Sequence, residues 1–167
     1  MIRKATQNDL FHIHDMAVRA TKRMNAEGSD QWDKTYPTTE HFQKDIHLGS
    51  LYVYEHDEKL IGSITIDQSF SPEYGAATLK WNTPQASAGT FHRLLVDPDV
   101  RKKGTAKALI TFAESYFKEH GCTALQIDTY SINHKAQRLF ESCGFTNTGE
   151  FYFPGKETAF LGFEKTI

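Results

Sequence analysis

Cysteine is almost missing from this chain. Only Cys122 and Cys143 occur in 167 residues, with no paired C-x-x-C spacing. Neither a structural zinc site nor a disulfide framework is indicated. Long apolar runs are absent too: nothing approaches the ~18 residues of a membrane span. The N-terminal MIRKATQNDL lacks the apolar core of a secretory signal. The expectation is a protein of the reduced cytoplasm, with no membrane partner. Positive charge is not in excess, since 19 Lys and Arg stand against 21 Asp and Glu for a net charge of −2. Nucleic acid is therefore not an expected partner, because domains that bind it usually carry a large basic surplus. Eight histidines are scattered along the chain. His12 and His14, two apart, point to different sides of a helix, so no metal site is expected.

What is present reads as an ordinary globule: 39% apolar and 24% charged residues, without repeats, low-complexity tracts or a linker. The length fits one domain, residues 1–167, with enough interior for a real core. IRKAT begins a short strand, and Leu10, Ile13, Ala17 and Met24 then share one helical stripe, with Thr6 or Asn8 as its cap. A polar and aromatic loop, GSDQWDKTYP, precedes a second helix over TTEHFQKDIHLG, closed by Gly49. LYVYE and KLIGSITID read as strands around the turn HDEK. Residues 67–90 form one long irregular insertion, which Tyr74 and Trp81 mark as at least partly packed; such loops are often functional.

From residue 90 the order becomes strand, helix, strand, helix. FHRLLV is followed by a helix carrying Ala106, Leu109, Ile110, Ala113, Tyr116 and Phe117, stopped by Gly121. ALQIDTY precedes a helix capped by Asn133, with Ala136, Leu139, Phe140 and Cys143 on one face and Gly144 at its end. AFLGFEK is a terminal strand. This order predicts parallel neighbours joined by a right-handed crossover, whereas the first half predicts hairpins. The expected class is a mixed α/β fold, a central twisted sheet of about six or seven strands flanked by about four helices.

The stretch VDPDVRKKGTAKALI, residues 96–110, is chemically odd. It places Arg101, Lys102 and Lys103 at a helix N-terminus, where exposed cations are unfavourable by ~0.3–1 kcal/mol. Gly104 allows close backbone approach, Thr105 and Ala106 keep bulk away, and first-turn amides lack intrahelical partners. Such a terminus can hold a diphosphate, each charge-assisted hydrogen bond returning ~1.5–3 kcal/mol. A basic turn that only reaches into water is the alternative. A P-loop and the dinucleotide Gly-x-Gly-x-x-Gly are both absent.

Arg101-Lys102-Lys103-Gly104-Thr105-Ala106 resembles the Arg/Gln-x-x-Gly-x-Gly/Ala signature of the GNAT superfamily of acetyl-CoA-dependent N-acetyltransferases. A second block, NHKAQRLFESCGF from Asn133 to Phe145, resembles that family's Asn-x-x-Ala-x-x-Leu-Tyr/Phe-Glu-x-x-Gly-Phe segment. The two blocks and the strand between them cover residues 91–145. The resemblance implies acetyl-CoA as acetyl donor, with no metal. It implies that the backbone of Leu94, Leu95 and Val96 pairs with the pantetheine arm. Amides of Lys102, Lys103, Gly104, Thr105, Ala106 and Lys107 would wrap the pyrophosphate. Asn133 would contact the cofactor, and Arg101 or the lysines would meet the nucleotide's phosphate.

Acetyl transfer to an amine needs a neutral nucleophile, yet a primary amine with pKa ~10.4 is mostly protonated near neutrality, a penalty of roughly 4 kcal/mol. The developing oxyanion needs a fixed donor, by family analogy an amide of the Leu94–Val96 strand. Asp128, at the end of ALQID, is the candidate base, and His92 the second choice because imidazole titrates near neutrality. Each has a plainer reading, a carboxylate satisfying a loop and a packed strand histidine. Phe140 stands where many family members carry a tyrosine that protonates the departing thiolate. Either the thiolate leaves unaided, or Tyr130 or another tyrosine substitutes, or turnover has been lost. Cys143 is expected in the core. Trp32, Tyr36, Tyr74, Trp81 and Tyr152 lie in loops able to surround an amine, and Asp30, Asp33, Asp67 and Glu73 would favour a cationic one. The expected acceptor is the primary amine of a small molecule. The alternatives are a protein N-terminal or lysyl amine, or an acyl-CoA sensor without transfer. The chain is expected to be a monomer or a homodimer.

Overall fold

The apolar stripe beginning at Leu10 forms α1, Leu10–Ala26, in a computed structural model that describes residues 1–167. Neither of the two caps expected stands at the N-cap of α1, which is Asp9; the N-cap of the preceding 3-10 turn is Thr6. The Thr6 backbone N–H donates to Asp9 Oδ2 at 2.7 Å, and this turn, over Gln7–Asp9, leads into the helix. Packing divides the chain into two compact units, residues 1–66 with 92–112 and residues 67–91 with 113–167.

The first unit is built on antiparallel strands β1 (Ile2–Lys4), β2 (Leu51–His56) and β3 (Lys59–Asp67). Arg3 lies opposite Val53, and Tyr52 opposite Ile64. The expected HDEK turn is a two-residue reversal with Asp57 at φ 49° and Glu58 at φ 62°, the left-handed pair that suits hairpin twist. Leu51 and Val53, two apart on one face of β2, pack with Ile13, Met16 and Ala17 of α1 and with Phe42 of α2 (Thr39–His47). The opposite face carries Tyr52 against Phe112, ring centroids 4.8 Å apart. Gly62 lets the chain pack closely here, because a Cβ would stand 2.9 Å from the Leu95 carbonyl oxygen and 3.0 Å from Leu109.

The second unit contains the start of β4 (Ala88–Val96), which pairs in parallel with β5 (Ala124–Tyr130) at Ala88↔Ala124 and Gly89↔Leu125. The parallel pairing expected after residue 90 is thus present. β5 pairs antiparallel with β7 (Phe160–Thr166), Asp128 opposite Gly162. β7 pairs in turn with β6 (Thr146–Phe151). The strand order is β1-β2-β3-β4-β5-β7-β6. The remaining helices are α3 (Thr105–Glu119) and α4 (His134–Ser142), so seven strands and four α-helices make up the mixed α/β fold.

Two sequence expectations need correction. Residues 67–90 are not irregular throughout, because β4 begins at Ala88 and 3-10 turns occupy Pro72–Gly75 and Gln85–Ser87. β6 was not expected at all. Its sequence TNTGEF has no alternating apolar pattern, and most of its residues are exposed or half-buried. It is a strand because β7 offers it an edge, which is a tertiary rather than a local cause. Gly149 is obligatory within it: φ is 130°, and a Cβ would collide with the Thr78 carbonyl.

The stretch leading to β4 is tied down from two sides. Tyr74 and Leu79 are buried with Tyr130, Phe151 and Phe160. The buried Glu164 carboxylate accepts from the Asn82 N–H at 2.7 Å, the Thr83 N–H at 3.1 Å and Gln126 Nε2 at 2.8 Å. These three donors satisfy a charge that would otherwise be costly to bury.

Candidate active site

The cation run lies in the first unit, between β4 and α3. Arg101, Lys102, Lys103, Gly104 and Lys107 are exposed, Ala106 is half-buried and Thr105 is buried. Thr105 Oγ1 donates to the Lys102 carbonyl at 3.1 Å, which folds the turn onto the helix start. Gly104 has φ 82°, and no atom lies within 4 Å of where its Cβ would be. A left-handed residue is needed at this point, and the space around it is open. Arg101, Lys102 and Lys103 have no carboxylate partner, so three positive charges face solvent beside the unpaired first-turn amides of α3. This combination fits a strongly anionic group. Just upstream, Leu95 is buried in the core of the first unit, and Leu94 and Val96 are half-buried.

Asp128 lies in the second unit, half-buried near the end of β5. Its Oδ2 accepts a hydrogen bond from the Tyr74 hydroxyl at 2.5 Å. Burial and the neighbouring negative charge of Asp128 push the Tyr74 phenol well above its ordinary pKa, so it stays a proton donor. The ring is held by a stack on Trp81, centroids 5.3 Å apart, and Trp81 Nε1 donates to the Tyr74 carbonyl at 2.8 Å. Tyr74 and Asp128 are 54 positions apart, so no local spacing could pair them. The only sequence signal was a tyrosine in a long insertion.

The other candidates are placed less suggestively. Tyr130 is 2% exposed, with its ring 4.7 Å from that of Phe160 and the Lys156 ammonium 6.0 Å from its centroid. Asn133 caps α4, its Oδ1 accepting from the Ala136 N–H at 3.1 Å. Phe140 is buried among Phe91, Phe145 and Phe163, so no hydroxyl is present at that position. Cys143 stands at the C-cap of α4 and is half-buried rather than in the core as expected, and Cys122 is buried, where desolvation pushes its thiol pKa up. His92 is half-buried on β4.

Beside His92, the backbone of Arg93 turns left-handed at φ 48°, an unusual conformation for a residue with a Cβ. Its guanidinium grips Asp45 through two bonds of 2.7 and 2.8 Å and donates to the Tyr36 hydroxyl at 2.9 Å. Thr65 Oγ1 supplies Asp45 with a further donor at 2.8 Å. Of the loop aromatics expected around an amine, Trp32 and Tyr74 are buried, Tyr36 and Trp81 half-buried, and Tyr152 exposed.

The profile of the Acetyltransferase (GNAT) family matches residues 16–145, and the chain belongs to that family. Human N-acetyltransferase 8 is 28% identical over 102 residues, which is 61% of this chain and 40% of that protein. The chain therefore matches well under half the length of that curated relative. A GNAT-family acetyltransferase from Streptococcus agalactiae 2603 superposes with TM-score 0.87 at 23% identity, over 100% of this chain and 95% of its own. The Salmonella typhimurium protein yncA, solved with its cofactor acetyl-CoA, has TM-score 0.72 and 16% identity, over 99% and 92% of the two chains.

Proposed function

We propose that this chain transfers the acetyl group of acetyl-CoA to the primary amine of a small molecule, by direct attack in a ternary complex. One observation carries the reading: in a GNAT chain, three unpaired exposed cations and an open glycine stand where α3 begins. The amides of Lys102, Lys103, Gly104, Thr105, Ala106 and Lys107 would hold the diphosphate. Arg101 and the lysines would meet the nucleotide's phosphate, and the Leu94–Val96 backbone the pantetheine arm. Asn133 is assigned to the cofactor by the sequence resemblance, in addition to its capping role.

In the transfer step the amine lone pair bonds to the thioester carbonyl carbon, and the carbon–sulfur bond breaks to release a thiolate. Asp128 is proposed to take the proton from nitrogen, directly or through water, while Tyr74 fixes one of its oxygens. His92 and Tyr130 remain the second choices for moving protons. A thiol with pKa ~8.5 is a tolerable leaving group, so the absence of a tyrosine at Phe140 does not forbid turnover. Phe140 does favour one second reading, a sensor that binds acyl-CoA without transferring the group.

Calorimetry with coenzyme A, and thiol release from acetyl-CoA with a panel of amines and peptides, separate these readings. Heat on mixing and thiol release with a small primary amine are expected. The double charge reversal Lys102→Glu with Lys103→Glu is expected to weaken coenzyme A binding at least ~10-fold, the loss of one charge-assisted contact. Asp128→Asn should lower turnover, most at the acidic end of the profile, with affinity for coenzyme A retained. Tight coenzyme A binding without turnover would establish the sensor, and turnover on peptides alone would establish a protein acetyltransferase. Absence of heat at low salt would overturn the phosphate loop.

A further inference from the structure

Two carboxylates, Asp97 and Asp99, stand immediately before the cation run. Left uncompensated, they would repel the same diphosphate that the run is proposed to hold, since both lie within a few residues of it and charges interact over ~8–10 Å in physiological salt. Neither is left uncompensated. Arg19 of α1 grips Asp97 with both terminal nitrogens, at 2.7 and 3.0 Å, and reaches Asp99 at 2.7 Å. One turn further along α1, Arg23 donates to the Pro98 carbonyl at 2.5 Å and to Asp99 at 3.3 Å. The Asp99 N–H closes the turn on Asp97 Oδ1 at 2.9 Å. Asp15, four residues before Arg19, holds the remaining Nε at 3.0 Å.

We infer that Arg19 and Arg23 are positioning residues for the anion loop that act by charge, offsetting Asp97 and Asp99 so that these carboxylates do not repel the diphosphate. The inference rests on the phosphate-loop reading above. The planar guanidinium fork suits this task, because it can engage one carboxylate with two nitrogens and still reach a second. An ordinary surface ion pair would matter little to affinity. Here a single side chain holds three carboxylates, two of them at the entrance to a proposed anion site.

The test compares wild type, Arg19→Gln, Arg19→Lys and Arg19→Gln with Asp97→Asn and Asp99→Asn, by calorimetry against coenzyme A and against pantetheine, which lacks the diphosphate. Arg19→Gln is expected to weaken coenzyme A about 10-fold, with pantetheine affinity unchanged and kcat at saturating acetyl-CoA within about twofold. Removing both carboxylates in the same chain should recover most of that loss, and Arg19→Lys should fall between. Unchanged coenzyme A affinity in Arg19→Gln, equal losses for both ligands, or no recovery in the triple variant each overturns the inference. Should Arg19→Gln fail to fold, Asp99→Asn alone decides the matter. It is expected to bind coenzyme A as tightly as wild type or tighter, and weaker binding overturns the inference. If wild type itself gives no heat with coenzyme A, the phosphate-loop reading fails first, and the two failures are thereby distinguished.

Discussion

The phenol of Tyr74 keeps its proton because ionising it would place a second negative charge beside Asp128 in a buried site. Tyr74→Phe preserves the ring and its stack on Trp81 but removes the donor. Hydrogen bonds to charged groups contribute ~1.5–3 kcal/mol, so stability to urea should fall by about 1.5 kcal/mol. Turnover should fall about tenfold, the rate equivalent of ~1.4 kcal/mol, with KM for acetyl-CoA unchanged. Steady-state kinetics with a productive amine checks this, and a rise in KM alone would remove Tyr74 from the chemistry. The partnership was invisible in the sequence because it spans 54 positions. The cation run was visible because its oddity is local: three like charges at the wrong end of a helix can be read from adjacent letters. Gly104 was also legible, although the structure shows that it serves a left-handed turn as well as an open approach.

Among the elements, helices were the most readable and edges the least. α3 and α4 announce themselves through three- and four-residue spacing and terminal glycines, whereas β6 exists only because β7 pairs with it. β4 was legible as a strand but not in its start or its distortion at Arg93, where nothing local favours φ 48°. The buried pair with Asp45 holds that conformation, the side chains being 14% and 7% exposed. Arg93→Ala leaves Asp45 without its partner and keeps a Cβ in a strained backbone, so it should lose about 3–5 kcal/mol. Arg93→Gly loses the same pair but relieves the backbone, and should be about 1 kcal/mol more stable than the alanine variant. Denaturant unfolding of the two variants measures the difference, and equal midpoints would show that the left-handed turn is not strained.

Across the whole chain, two carboxylates held by arginine contribute to the response to acid. Arg3 keeps the Asp9 carboxyl below its ordinary range, and Arg19 does the same for Asp97. A carboxyl with a depressed folded-state pKa favours the native state at every pH above its unfolded value, and that contribution disappears as pH falls through the folded value. Wild type should therefore be more stable than Asp97→Asn at pH 6, and the two should converge toward pH 2; parallel curves from thermal unfolding would contradict the linkage. These pairs join residues as far apart as 78 positions, which is why composition showed a near-neutral chain but not where its charges meet.

By gathering the Asn82 and Thr83 amides, Glu164 anchors the connection between β3 and β4, which carries no α-helix, just where a digestive enzyme would look for slack. Trypsin should spare Lys80 in the native protein while cutting it readily in Glu164→Gln, whose neutral amide holds those two backbone donors less firmly. A chain that needs its connection braced in this way is built to resist being opened there.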